Sequence, residues 1–329
     1  MSAVQLRFSL LFFALLLTAA LALSLGKYPI GTEAWMRILS GEAAGVEASV
    51  VFDLRLPRIA AAILVGAALS VSGAAFQSMF VNPLVSPSLL GVLAGASFGA
   101  GLGILLSLNW FGVQLLTFAF GCVAVLFSMG VAMLYRGGSG ILILVLGGII
   151  STSLFTSLLS IVKYTADPYD QLPSIVYWLM GSFAMVERDT LTGIALPMIL
   201  GIGMLMALSK YLNVLSMGDE EARALGVNVR WVRVGAIGAA TLISSLTVVT
   251  AGVIGWVGLV IPHISRFLVG PDNRILIPTS ALLGGIYLLI VDTISRNAFD
   301  SEIPIGILTS LVGIPVFIII LKNAKRGWQ

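Results

Sequence analysis

The chain has 329 residues, of which 58% are hydrophobic and only 10% are charged, whereas a soluble domain carries about 25% charged residues. That deficit excludes a water-soluble globule and defines an integral membrane protein. The formal charge of +3 does not point to nucleic acid, because the 18 basic residues are scattered among apolar runs and not gathered into a patch.

Apolar runs broken by Pro, Gly and charged residues give ten expected spans. The first covers about 8–26. Its basic flank is only Arg7 and its apolar stretch is long, so it reads as a retained helix in preference to a signal peptide. The segment from Lys27 to Arg58 is too charged to lie in lipid. From there to Arg136 run 77 residues without Asp, Glu, Lys or Arg, room for three crossings at roughly 20 residues each. Breaks at Asn82-Pro83-Leu84-Val85-Ser86-Pro87 and Asn109-Trp110-Phe111-Gly112 divide this run into spans near 59–80, 88–108 and 112–135. These runs are continuous in Leu, Ala, Val and Gly, which excludes the alternating strands of a barrel.

A fifth span is expected at 141–162. The segment 163–189 follows, with an apolar stretch too short to cross, read as an interfacial or re-entrant helix. Five more spans are expected at 190–210, 234–254, 256–270, 276–296 and 304–321. The uncharged run 234–265 is long for one helix and short for two, so its division near Gly255 rests on little. An even number of spans puts both termini on one side. With the termini inside, the cytoplasmic segments hold eleven basic and four acidic residues, a balance of +7, and the outer segments hold seven basic and ten acidic, a balance of −3. The positive-inside rule therefore places the termini in the cytoplasm.

Arg55-Leu56-Pro57-Arg58 and Arg230-Trp231-Val232-Arg233 each precede a Gly/Ala-rich span that ends in a Pro-containing break. Five spans separate them, so the copies enter the membrane from opposite sides, a weak inverted repeat of the kind transporters use. Cys122 is the only cysteine and His263 the only histidine, so neither a disulfide nor a Cys/His metal cluster is available. His263 reads as a packed residue, not a haem ligand. Asp292 is the only acid well inside a span, which is costly without a partner; Arg296, one turn on, is the nearest. The 36 glycines, several along 95–103, read as close-packing positions between helices.

The polar loop at about 212–232 carries the most information. Asp219, Glu220 and Glu221 suit the first turn of a short helix, and Gly226 suits its stop. Ala222 and Leu225 lie three apart and give a small apolar face, which either docks in a groove of a cytoplasmic partner or lies at the interface.

Taken with this loop, several strings resemble the permease subunits of type II ABC importers, the FecCD-type family that takes up ferric siderophores, haem and cobalamin. They are Leu54 to Arg58, Gly66 to Gly73, Asn82 to Pro87 with Leu90-Gly91, Gly258 to Arg266, and Glu302 to Thr309, in family order over nearly the whole chain. The resemblance implies a single all-α transmembrane permease domain over 1–329, with about ten helices and an inverted repeat. It implies that Gly218, Asp219, Glu220, Glu221, Ala222, Arg223, Leu225 and Gly226 contact ATPase subunits. Arg55, Arg58 and Arg296 match the outer rim that grips acidic residues of a binding protein, although interfacial anchoring and pairing with Asp292 explain the same residues. Asn82, Leu84, Ser139 and Gly140 match the cytoplasmic gate, although Asn82-Pro83 also breaks a helix without gating anything.

The implied partners are a second copy of the chain, two cytoplasmic ATPases that bind ATP and Mg, and a periplasmic or lipid-anchored binding protein. The implied location is the cytoplasmic (inner) membrane of a bacterium or archaeon. No phosphate loop is present, so the chain itself is expected to be neither an enzyme nor a cofactor carrier. The expected cargo is a metal chelate, namely a ferric siderophore, haem or cobalamin; a molybdate-like oxyanion is the alternative. Two other classes compete. An ion-coupled secondary transporter needs several mid-membrane acids where only Asp292 qualifies. A rhomboid-like serine protease could use Gly137-Gly138-Ser139-Gly140 with His263 as base.

Overall fold

The computed structural model describes residues 3–41, 45–134 and 140–324. Among these there is no strand. The helices in chain order are α1 (Ala3–Ser24), α2 (Thr32–Leu39), α3 (Val46–Ser49), α4 (Leu56–Met79), α5 (Val92–Leu105), α6 (Trp110–Leu134), α7 (Gly140–Thr165) and α8 (Gln171–Leu179). They continue with α9 (Arg188–Leu215), α10 (Asp219–Ala224), α11 (Val229–Ala251), α12 (Val257–Val269), α13 (Asn273–Asn297) and α14 (Ile305–Ala324). A π-helical stretch, Val50–Arg55, joins α3 to α4, and a 3-10 turn, Pro87–Leu90, precedes α5.

Each of the ten expected spans corresponds to a helix. Seven helices among the described residues are long and apolar enough to cross a membrane, while α5, α12 and the apolar part of α14 are shorter. The shortening of α5 and α12 has a local cause. Pro87 and a left-handed Gly91 delay the start of α5, and the non-helical segment 252–256 takes up residues that α11 and α12 would otherwise share. The doubtful division near Gly255 is therefore real, and the short helix expected within 163–189 is α8.

Burial separates an inner from an outer set. The apolar windows of α4 and α11 are 78% buried, that of α1 only 6%, so α4 and α11 form the centre and α1 lies along the edge. Lipid tails give no hydrophobic drive between helices, and close approach of small residues does the packing instead. At Gly66 on α4 an added Cβ would strike the backbone of Gly284 on α13, and at Gly73 it would strike that of Gly258 on α12. α13 runs along α4 in the opposite direction. The end of the bundle that holds the start of α1, α10 and the start of α13 is called the near end below, and the opposite one the far end.

Candidate functional site

The backbone between α11 and α12 is the least regular feature at depth. Gly252 and Trp256 both have positive φ, 68° and 69°. Gly258 lies against Gly73, six residues before the end of α4 and so about 9 Å from its near end at 1.5 Å per residue. The N–H of Ser182 donates to Ala251 O at 2.9 Å, so the segment runs inward from the level of α8. Non-helical backbone at such depth survives only where protein or a water-filled cavity surrounds it, and two cavities flank this segment. One, of about 390 Å³, is lined by Trp110, Tyr177, Trp178, Met185, Thr250 and Gly252. The other, of about 280 Å³, is lined by Ser86, Ser88, Ser244, Gly255, Trp256 and Leu259, with no charged side chain in its wall. The Trp256 ring is held by Phe317 of α14, with ring centroids 5.9 Å apart.

The 80–91 loop closes the second cavity toward the near end. Asn82 Oδ1 accepts from the N–H of Leu84 at 2.9 Å, and Asn82 N donates to Gln77 O at 3.1 Å, so Asn82 does shape the turn. Asn82 and Leu84 are both exposed at the near end. Gly140 begins α7, and Ser139 lies outside the described residues. α7 reaches the same loop higher up, where Gly148 packs against the carbonyl of Leu89.

α10 is built as the sequence implies. Gly218 (φ 119°) opens it with three acids in its first turn, and Gly226 (φ 77°) closes it, with Val227 N donating to Ala222 O at 3.0 Å. Arg233 of α11 ties it down through Asp219 at 2.8 Å. One expectation is corrected. Ala222 and Leu225 do not form a shared docking face: Ala222 is fully buried against the bundle, and Leu225, in the closing turn, is 62% exposed. Six residues make less than two turns, so the small side chain seats the helix and the outward groups are Glu220, Glu221, Arg223 and Leu225.

Behind α10 lies a polar knot of short side chains. Asn213 of α9 donates to Asp272 at 2.6 Å and accepts from the N–H of Asn273 at 2.7 Å. Ser78 of α4 donates to Asn273 Oδ1 at 2.6 Å, and Ser216 donates to Ser78 O at 3.2 Å. Arg266 of α12 donates to Gln77 at 3.1 Å. Hydrogen bonds from Arg274, with help from Asn213, hold the Asp272 carboxyl well below the usual carboxylate range. None of this was read from sequence; the one signal was Asn or Ser at three helix ends on the same side.

The far end is ionic. Arg58 Nε donates to Asp292 at 2.9 Å, and its two terminal nitrogens donate to Glu302 at 3.1 and 2.9 Å. Arg296 Nε lies 3.2 Å from the other Asp292 oxygen, close enough to pair but misaligned for a hydrogen bond. Asp292 thus has the expected Arg296 and, in addition, Arg58, which the sequence reading missed because the two are 234 residues apart. The three arginines expected at the outer rim are engaged within the chain itself. Arg55 is 5% and Arg296 7% exposed. Arg55 donates to Leu23 O at 2.7 Å and Tyr28 O at 2.6 Å, and Arg296 donates to Ala22 O at 3.2 Å. Carbonyls at the end of α1 and carboxylates of the chain itself occupy the guanidinium groups that docking would need. His263 stacks edge-on against Phe267 at 5.1 Å as a packed residue.

An all-helical bundle with an interrupted helix at depth, cavities on either side of the interruption, and a short acidic helix projecting from one end is a multi-pass transport permease. The chain belongs to the FecCD transport family, which it matches over residues 14–323, and it is the permease of an ABC transporter. It is 40% identical over 323 residues to the molybdate import system permease protein MolB of Haemophilus influenzae, covering 95% of this chain and 94% of that one. To the iron(3+)-hydroxamate import system permease protein FhuB of Bacillus subtilis it is 37% identical, covering 95% and 82%. A solved structure described as a metal-chelate type ABC transporter in an inward-facing conformation matches at a TM-score of 0.88 and 37% identity, covering 97% of this chain and 99% of that one.

Proposed function

We propose that this permease moves a metal chelate, namely a ferric siderophore, haem or cobalamin, across the cytoplasmic membrane of a bacterium or archaeon by ATP-driven alternating access. The observation that carries the reading is the interrupted α11–α12 segment with its cavities, since irregular backbone at depth is how transporters build a path. Two copies of the chain line that path between them. The near end, with both termini, faces the cytoplasm, and two separate ATPase subunits that bind ATP and Mg dock on α10 through Glu220, Glu221 and Leu225. A periplasmic or lipid-anchored binding protein delivers cargo to the far end. Closure of the ATPases displaces α10, and the knot at Asn213, Asp272 and Asn273 passes that displacement to α4 and α13, so the 80–91 loop with Asn82 and Leu84 parts. Gly140, at the start of α7, belongs to the same gate, and Ser139 is assigned to it from the sequence resemblance alone.

A second cargo reading, a molybdate-like oxyanion, has its own support in the MolB relative and in the serine-lined cavity. Ser86 and Ser88 hydrogen-bond each other at 2.6 Å, so one of the two keeps a proton for an oxyanion oxygen, and Ser244 can turn from its 3.5 Å contact with Ser72 to add a second, without a fixed charge that would retain the ion. The test is uptake by vesicles holding the permease, its ATPases and its binding protein. ATP-dependent uptake of a ferric chelate, haem or cobalamin and not of molybdate supports the first reading; the reverse supports the second. Uptake that persists without the ATPases would contradict both.

A further inference from the structure

At the near end a groove of about 250 Å³ opens between α6, α7, α10 and α11. One wall is apolar, with Met129 and Met133 of α6 and Leu144 of α7; the other carries Arg223, Arg230 and Arg233. These are placed as a membrane surface demands. Met133 is 72% exposed, and Trp231, between two of the arginines, is also 72% exposed, the position an aromatic takes at the headgroup level. Asp219 pairs with Arg233 of this basic wall at 2.8 Å. Arg233 uses its two terminal nitrogens on Asp219, while its Nε is buried and without a partner. Such a nitrogen is costly unless an acceptor is supplied.

We propose that this groove binds one anionic phospholipid of the near-end leaflet. The phosphate lies against Arg223 and Arg230, and an acyl chain lies along Met129, Met133 and Leu144. Basic pockets between helix ends are suited to such headgroups, and the adjoining apolar wall is what a free phosphate would not need. Because Arg223 belongs to α10 and Arg233 holds Asp219, the lipid braces α10 against α11. A cytoplasmic leaflet as its source rests on the orientation proposed above; lipid retention itself is read without any transport assay.

The test is native mass spectrometry of the detergent-purified full chain with phosphatidylglycerol, phosphatidylcholine or inorganic phosphate added. The account expects retention of phosphatidylglycerol over phosphatidylcholine, lowered about fivefold in Arg230→Gln and about thirtyfold in Arg223→Gln/Arg230→Gln, from the usual contribution of each basic group near an anionic surface. It also expects Met133→Asn to weaken retention with the arginines intact. Equal retention of the two lipids, or no change in the arginine variants, would overturn it. Displacement of phosphatidylglycerol by millimolar inorganic phosphate would equally overturn it, because the groove would then be reading phosphate alone.

Discussion

The α4–α13 pair is fastened at both ends, by different chemistry. At the far end, Arg58 and Arg296 converge on Asp292, which is wholly inaccessible, and only Glu302, at the outer edge of the cluster, is partly exposed. At the near end, Ser78, Asn273 and Asn213 make neutral hydrogen bonds, and the charged pairs there, Asp219 with Arg233 and Asp272 with Arg274, are partly exposed. A buried ion pair cannot be opened piecemeal, since removing one partner strands the other charge. Neutral hydrogen bonds near water can be exchanged at about 1 kcal/mol each. On this contrast the proposed mechanism takes the far end as the fixed hinge and the near end, where α10 lies, as the part that rearranges.

Breaking this contrast should cost most at the far end. Asp292→Ala strands Arg58 and Arg296 and is expected to destabilise the permease by about 3–5 kcal/mol, read as a lowered unfolding midpoint in detergent. Gly73→Leu should come next, at about 1–3 kcal/mol or more, because the added side chain drives α4 from α12; transport should fall with it. Asn213→Ala leaves Asp272 and the Asn273 N–H short of a partner and should cost about 1–3 kcal/mol in the same unfolding measurement. Asp219→Asn should barely move the unfolding midpoint, by about 0.2–1 kcal/mol, as half-exposed ion pairs contribute little. It should nevertheless uncouple ATP hydrolysis from uptake, because Arg233 no longer holds α10.

The smallest effect concerns pH. The Asp272 carboxyl is lowered in the folded state, so its stabilisation is present above the unfolded value of about 4 and is lost only as pH falls below it. Midpoints of the parent and Asp272→Asn should therefore differ by the same amount at pH 7 and pH 5 and converge in more acidic buffer.

How legible these features were in sequence follows from their range. Helices and breaks could be read because lipid demands long apolar runs and Pro or Gly must interrupt them. α10 could be read because its acids and flanking glycines are contiguous. Arg58 with Asp292, and Ser78 with Asn273, join residues roughly two hundred positions apart, and no local pattern shows which helix faces which. That the rim arginines have partners within the chain was hidden for the same reason. An Arg at a helix start looks available until the carbonyls at the end of α1 and the carboxylates of Asp292 and Glu302 are known to stand beside it. Ala222 misled because three-residue spacing describes a helix face only when the helix is long enough to have one.

The central claim, that ATP acts through α10 to part the near end while the far end holds, is tested most directly by spin-label distances in the assembled importer in vesicles. One pair joins Leu84→Cys to Leu225→Cys and the other joins Tyr169→Cys to Phe299→Cys, all exposed positions, in a Cys122→Ala background. The account predicts that ATP shifts the Leu84–Leu225 distance and leaves the Tyr169–Phe299 distance unchanged. An unchanged near-end distance, or an equal shift at the far end, would contradict it.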